Sequence, residues 1–415
     1  MGSSSLSNPA LPTGTPQQAR ILAVCQGLYT CAISIDLTLT ALTGWQLAPN
    51  KALATLPFAL ITVAGALVTW FAAFLIQRWG RRLSFMLGAL TCAIGGVISV
   101  WSVFHGQFWS FCLGTACVGV FQAFAQYYRL AAADLAAPAA KSRAVSAVMT
   151  GGVIAAVLGP ALAAWSKDLF PAALFAGAYL MVALLGLASV LVLALFYREQ
   201  TPLSAAMETP AMAELMPARS TMEIVRQPIF LAALANNVVG SMVMMLLMTA
   251  APLAAVGCQH SINDGANIIQ WHLVGMYAPS FFAARLMQRF GIGKMVLAGI
   301  GLTLACVVIA TLSTSLPGFY AALLCLGIGW NFMFVGGTSL LAQSYRPSER
   351  ARTQGLSEFL RYAATALATL GAGPLLAVYG WSVLNLAVLP LLLVATLLSL
   401  YWMRAEVLSG AALVS

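Results

Sequence analysis

Charge is what this chain lacks most. Only 7% of its 415 residues are Asp, Glu, Lys or Arg, while 61% are hydrophobic. A water-soluble globular chain carries about 25% charged and about 45–50% apolar residues. Too little polar surface is present here to coat a soluble fold. Disorder, collagen and coiled coil are excluded on the same ground. Histidine is scarce, at three residues, and there is no HExxH, so nothing points to a membrane-embedded metalloenzyme. No GxxxxGK[ST] occurs, which removes ATP hydrolysis as an energy source. The eight cysteines form no CxxC and nearly all lie inside apolar runs. They read as small buried hydrophobes, not as a disulfide framework or a metal site. The first 20 residues are rich in Ser, Pro and Gln with one charge, Arg20. They read as a disordered tail and not as a signal peptide.

What the chain has is apolar runs near 20 residues, the length a helix needs to cross a bilayer. Twelve are expected: roughly 21–43, 54–76, 83–104, 108–131, 144–165, 172–196, 229–256, 264–287, 295–313, 318–343, 355–377 and 381–402. Backbone amides cannot stay unpaired in lipid, so each run should be helical. An even number puts both termini on one side. With that side cytoplasmic, the inner loops and helix ends collect 18 of the 20 basic residues. Among them are Arg78, Arg81, Arg82, Arg289 and Arg361, and only Lys51 and Lys167 fall outside. That bias matches the positive-inside rule and accounts for the net charge of +9 without nucleic acid as a partner. Residues 197–227 are the longest polar stretch and read as a cytoplasmic linker between two six-helix halves, 21–196 and 228–403. Residues 404–415 are expected to be a second cytoplasmic tail.

The halves echo each other. Ala73-Phe-Leu75-Ile-Gln77-Arg78-Trp79-Gly80 follows the second run, and Ala284-Arg-Leu286-Met-Gln288-Arg289-Phe290-Gly291 follows the eighth. Tyr128-Arg129 is matched by Tyr345-Arg346, and Gly159-Pro160 by Gly373-Pro374. Each pair is separated by 211–217 positions. Parallel repeats of this kind point to a secondary transporter whose substrate site lies between the halves near the bilayer midplane.

Ala73-x-Leu75-x-Gln77-Arg78-x-Gly80-Arg81-Arg82 resembles the loop signature of the major facilitator superfamily, Gly-x-Leu-x-Asp-Arg-x-Gly-Arg-Arg. It departs at Ala73 and Gln77, and the latter removes an acid that helps gate the cytoplasmic side. The resemblance covers essentially the whole chain in segment count, linker and loop motif. It implies an all-α integral membrane fold of twelve helices in two pseudo-symmetric bundles, in a bacterial inner membrane. It also implies a monomer that works by alternating access on a small-molecule substrate, with H+ as partner and no cofactor. The stretch Gln270-Trp271-His272-x-x-Gly275-Met276-x-x-Pro279-Ser280-Phe281 is similar to a subgroup with riboflavin-transporter-like members.

Asp36 is the only acid deep in an apolar run. A charged carboxylate at a helix centre costs about 2.5–3.5 kcal/mol on insertion, so an acid kept there is read as a proton-coupling group. The bland alternative is an acid bonded to Thr38 or Thr40. His272 suits a proton relay, since imidazole titrates near neutral pH, or else is a neutral ring on a backbone carbonyl. Arg78, Gly80, Arg81 and Arg82 with Asp134, and Arg289 and Gly291 with Glu349, are expected to form a cytoplasmic gate. Gly151, Gly152, Gly159 and Pro160 should let the fifth helix pack closely and bend. They resemble the helix-5 motif of antiporters, with Ala163 and Ala164 in place of its last two glycines.

Amides and aromatics set the expected cavity: Gln26, Gln122, Gln126, Asn236, Asn237, Gln270, Trp271, Trp330 and Asn331, with Phe121, Tyr127, Phe332 and Phe334 nearby. No Arg or Lys is expected deep enough to clamp an anion. A neutral, planar or amphipathic organic solute fits that lining. Uptake of a vitamin-like aromatic and efflux by drug/proton antiport remain open, with a transport-inactive sensor as a remote alternative.

Overall fold

A computed structural model describes residues 17–135, 141–199 and 219–412. Residues 1–16, the middle of the expected linker and the last three residues lie outside that description. Among the described residues there are fourteen α-helices and no strand. They are α1 (Gln17–Leu47), α2 (Leu56–Phe104), α3 (Phe108–Ala125), α4 (Tyr128–Asp134), α5 (Lys141–Ser166), α6 (Ala176–Phe196) and the short α7 (Thr221–Val225). Then follow α8 (Pro228–Gly257), α9 (Ile262–Tyr277), α10 (Ser280–Phe290), α11 (Ile292–Leu312), α12 (Leu316–Ser344), α13 (Arg350–Leu386) and α14 (Leu389–Ala412).

Fourteen helices make twelve spans. The 49 residues of α2 would stretch about 73 Å as one rod, more than twice the hydrocarbon thickness. Gly80 breaks them, with φ 81° and ψ 167°, a conformation essentially reserved for glycine. Gly291, its repeat mate, adopts φ 84° and ψ 155° between α10 and α11. The repeat read from Gln-Arg-x-Gly is thus a repeat of backbone geometry. Gly380 splits α13 in the same manner, so the last spans are 350–379 and 381–412. Ten stretches among the described residues are long and apolar enough to cross a membrane. The longest, 352–408, holds two spans, and the broken pair α9–α10 adds another.

Two boundaries differ from expectation. Helix α1 begins at Gln17, inside the expected tail, and Gln18 Oε1 accepts the Arg198 N–H at 2.9 Å. Helix α14 continues to Ala412, through most of the expected second tail, because nothing between 404 and 412 breaks a helix except Gly410.

Each half has its own apolar core. One joins α1–α6 around Phe85, Phe111, Phe121 and Tyr179, and the other joins α8, α11, α12, α13 and α14 around Val243, Phe319, Leu326 and Leu392. The halves meet most tightly on the face opposite the termini. There Leu253 and Ala266 enter the core of the first half, and the Gly373 N–H donates to Thr55 Oγ1 at 3.1 Å. Nearer mid-depth Phe58 and Ile61 pack with Met244, Met248, Ile269, Leu273 and Met276. That face is therefore closed, and the junction between the halves is sealed from it.

Candidate functional site

Small residues set how closely the helices approach. A Cβ at Gly151 would lie 2.2 Å from the Ala23 carbonyl oxygen, one at Gly159 2.4 Å from Ser34 Cβ, and one at Gly152 3.3 Å from Thr30 Oγ1. Helix α5 is thus seated directly on α1, with Pro160 buried beside Gly159. Ile33 and Leu37, also on α1, pack on the cluster that joins the two halves.

At the junction aromatic side chains from both halves converge. Tyr29 of α1 meets Phe121 of α3 edge-on, 5.3 Å between ring centres. Its phenol lies close enough to those of Tyr277 (α9) and Tyr362 (α13) to interact electrostatically across the two halves. Trp330 stacks on Phe334 at 4.9 Å and 13°, and its indole N–H donates to Ser241 Oγ at 3.4 Å. The Arg361 guanidinium lies 4.3 Å over the Tyr362 ring and 5.7 Å over that of Phe334. It donates to the Glu358 carboxylate from Nε at 3.2 Å and from Nη2. At about 1.5 Å per residue, these groups lie about 15–21 Å along their segments from the end nearest the termini, close to the bilayer midplane.

Arg361 corrects two expectations. It is not a loop charge, and a basic residue does lie deep between the halves, with its side chain only 17% exposed. Its carboxylate partner is three residues away on the same helix, so the pair brings no net charge. The lining still suits a neutral planar solute, for a different reason than the absence of a cation.

Several expected cavity residues are occupied elsewhere. Asn236 donates to Ala232 O at 2.8 Å and to Ser399 Oγ at 2.9 Å, tying α8 to α14. Asn331 donates to Met276 O at 2.7 Å and Ser280 Oγ at 2.6 Å. It thereby serves the break at Pro279, which has no N–H to continue the helix. Asn237 is buried against Gly337. Gln26 donates to Thr30 Oγ1 beside Gly152, and Gln122 packs on Gly65. Gln126 is half-buried at the α3–α4 break, and Gln270 half-buried on α9. Trp271 is 56% exposed and shares a shallow groove with Pro317, Tyr320 and Leu324. Ile269, Leu273 and Met276 are buried α9 residues on its junction face. At about 100° per residue, Trp271 sits on the opposite side of the helix.

The two proton-coupling candidates are both fully buried. Thr40 Oγ1 donates to Asp36 Oδ1 at 3.0 Å. His272 Nδ1 bonds the Leu323 carbonyl oxygen at 2.7 Å, joining α9 to α12 inside the second half. Asp36 and His272 are not hydrogen-bonded to each other.

Of the gate candidates, Arg78 and Arg289 are exposed, and Arg289 lies over the neighbouring Phe290 ring at 5.3 Å. The Asp134 side chain lies outside the described part of the structure. The expected Arg289–Glu349 pair is not the one formed. Glu349 is held by Arg219, which donates from its backbone N–H at 2.7 Å, Nε at 3.0 Å and Nη2 at 2.7 Å, and by the Arg346 N–H at 2.9 Å. Those hydrogen bonds, the Arg219 side chain first, hold the Glu349 carboxyl well below the usual range. In the first half Arg82 Nη2 donates to Ala194 O. There Glu199 takes the Arg81 N–H at 2.6 Å, with both its oxygens 2.5 Å from where a Cβ at Gly80 would be. Gln77 removed an acid from the loop signature, and Glu199 brings one to the same turn from the end of α6. Sequence reading missed Tyr29, Tyr277, Tyr362, Arg361, Glu199 and Arg219. Only Arg361 left a signal, by falling inside the run 355–377.

With this geometry in hand, the comparisons are specific. The family profile described as Major Facilitator Superfamily matches residues 3–261 and 259–411. The riboflavin transporter RfnT of Brucella anthropi is 39% identical over 371 residues, which is 89% of this chain and 92% of that one. An uncharacterized MFS-type transporter of Bacillus subtilis, YddS, is 25% identical over 90% of this chain and 88% of its own. Among solved structures, a D-xylose–proton symporter superposes with TM-score 0.69 at 15% identity, covering 93% of this chain and 95% of its own. The nucleoside transporter NupG does so with TM-score 0.67 at 13% identity, covering 93% and 99%.

Proposed function

The chain belongs to the Major Facilitator Superfamily, and from that premise we propose that it is a proton-coupled uptake carrier for a flavin-class solute, riboflavin or a close analogue. It is a multi-pass membrane transporter of a small molecule and not an enzyme. The observation that carries the finer reading is the ring set around Arg361 and Glu358 at the junction of the halves. A flavin is a planar tricycle with an imide edge, in which an N–H donor lies between two carbonyl acceptors. Tyr29, braced edge-on by the buried Phe121, Tyr362 and the Trp330–Phe334 stack offer faces for the tricycle. The guanidinium donates to an imide oxygen, and the carboxylate accepts the imide N–H. The neutral pair suits a solute that carries no net charge at its ring. The Brucella anthropi relative supports the substrate class.

The sidedness of the closed face rests on topology. Both termini and the linker are placed in the cytoplasm of the cell, by the positive-inside bias of Arg78, Arg82, Arg289 and their neighbours. The tightly packed face is then periplasmic, and the conformation is closed to the outside. Arg78 and Arg289, exposed in it, are assigned to contacts that form when the cytoplasmic side closes. Asp36 is assigned the coupled proton, and the chain is taken to act as a monomer.

Riboflavin uptake by a flavin-auxotrophic bacterium expressing the chain tests this reading. Uptake should be saturable, blocked by unlabelled flavins and abolished by a protonophore. Absence of uptake, with faster loss of preloaded flavin, would instead support efflux, the alternative that Gly159–Pro160 brings to mind.

A further inference from the structure

Asp36 lies inside the first half, sealed from the junction and from both faces. Its side chain is fully buried. One carboxylate oxygen accepts from Thr40, and the other has no hydrogen-bond partner among the described residues. The titratable groups that face it are Tyr179 from α6, Cys92 from the third span and Tyr29 from its own helix. No Lys, Arg or His among the described residues faces it. An acid so placed takes part in transport only if a proton can reach it, and no open water path does.

A chain of hydroxyls leads away from it. Thr40 Oγ1 lies 3.0 Å from Asp36 Oδ1, Tyr179 OH lies 3.3 Å from Thr40 Oγ1, and Tyr179 OH lies 3.1 Å from Thr43 Oγ1. All three hydroxyl residues are 0–1% exposed. Thr43 stands one turn from the end of α1, where Trp45 and Gln46 are exposed. Every link therefore moves toward the face opposite the termini, through the body of the first half and not through the space between the halves.

We propose that Thr40, Tyr179 and Thr43 form a buried hydroxyl relay that loads and unloads Asp36 from the face opposite the termini, independently of the substrate cavity. In one passage Thr40 gives its proton to Asp36 and takes one from Tyr179. The Thr43 O–H, which rests on the Leu39 carbonyl oxygen at 3.0 Å, swings to Tyr179 and gives it a proton, and Thr43 takes one from hydronium arriving at the end of α1, which leaves as water. Each hydroxyl ends neutral, the carboxylate gains one proton, and the hydroxyls then turn back to their starting bonds. Tyr179 is the pivot, because its single O–H reaches both threonines. The relay rests on the proton-coupled reading above, yet it makes a claim that can be read without any substrate.

The test is infrared difference spectroscopy on the full chain in proteoliposomes, after rapid mixing with D2O buffer. A protonated-carboxyl C=O band that is missing in Asp36→Asn identifies the acid. Its shift on deuteration times the arrival of solvent protons. In Tyr179→Phe and Thr43→Val the shift should slow at least about tenfold, equal to about 1.4 kcal/mol in barrier. Riboflavin counterflow at symmetric pH, which needs no net proton movement, should stay within about twofold in the same variants. Deuteration at the wild-type rate in both variants overturns the relay, as does the absence of a band that Asp36→Asn removes. Counterflow lost in step with the slowed band would mark the hydroxyls as structural and overturn it too. If the wild type carries no riboflavin while the band behaves as stated, the flavin reading fails and the relay stands.

Discussion

The two halves share a backbone and differ in what they bury. Gly80 and Gly291 turn the chain with nearly the same angles, and Gly-Pro pairs occupy matching places in α5 and α13. Yet the first half buries an acid on a run of hydroxyls, while the second buries a histidine fixed to a carbonyl. The second half also holds the Arg361–Glu358 pair and most of the rings around it. Duplication thus kept the geometry that membrane helices need, and let the polar cargo diverge. In the proposed carrier the first half handles the proton, and the second supplies the polar grip on the solute and most of the rings around it.

Replacing the buried titratable group of each half should break that comparison most strongly. Asp36→Asn is expected to reduce riboflavin accumulation to its equilibrium level. His272→Asn should leave accumulation within about twofold, because the new amide can still donate to Leu323 O and keep α9 on α12. Accumulation ratios in proteoliposomes with an imposed pH gradient check both. An equal loss in the two variants would put proton handling in both halves.

A smaller effect separates the halves at the ends of the linker. Glu349 is buried and held by Arg219, whereas Glu199 is exposed on its turn. The folded-state Glu349 carboxyl is depressed below its ordinary value of 4.5. Its contribution to stability is therefore complete above that pH and is lost as pH falls toward the folded value. Arg219→Ala should lower the melting temperature in detergent at pH 7 by several degrees and flatten its fall between pH 5 and 3. A parallel drop in both proteins over that range would show that the clamp adds nothing.

The smallest effect compares the two glycines. Alanine at either position meets a backbone conformation costing about 1–3 kcal/mol. At Gly80 the new methyl also collides with the Glu199 carboxylate, and the loss of that hydrogen bond adds about 1 kcal/mol. Nothing lies within 4 Å of a Cβ at Gly291. Thermal melts of Gly80→Ala and Gly291→Ala should place the first below the second.

The fold was legible because lipid allows so few solutions. Apolar run lengths set the spans, and Gln-Arg-x-Gly set the repeat that Gly80 and Gly291 realise. The site was less legible, because side-chain direction and hydrogen-bond satisfaction do not show in a residue's type. Asn236 and Asn331 look like cavity amides until their donors are found on helix carbonyls. Trp271 and Trp330 have the same chemistry, and only the facing of α9 separates the flank from the junction. Arg361 was hidden by the rule that worked for its neighbours, since a basic residue one-third of the way into a helix counts with the loop. The Thr40–Tyr179–Thr43 chain spans two helices far apart in sequence, and no spacing announces it.

Flavin binding by Arg361→Met and Asp36→Asn, measured side by side through quenching of riboflavin fluorescence, tests the division between the halves most directly. Losing the charged hydrogen bond in Arg361→Met should cost about 1.5–3 kcal/mol, or about 10- to 150-fold in Kd. Asp36→Asn should bind within about twofold of the wild type. Wild-type affinity in Arg361→Met, or an equal loss in both variants, would contradict the assignment of solute to one half and proton to the other.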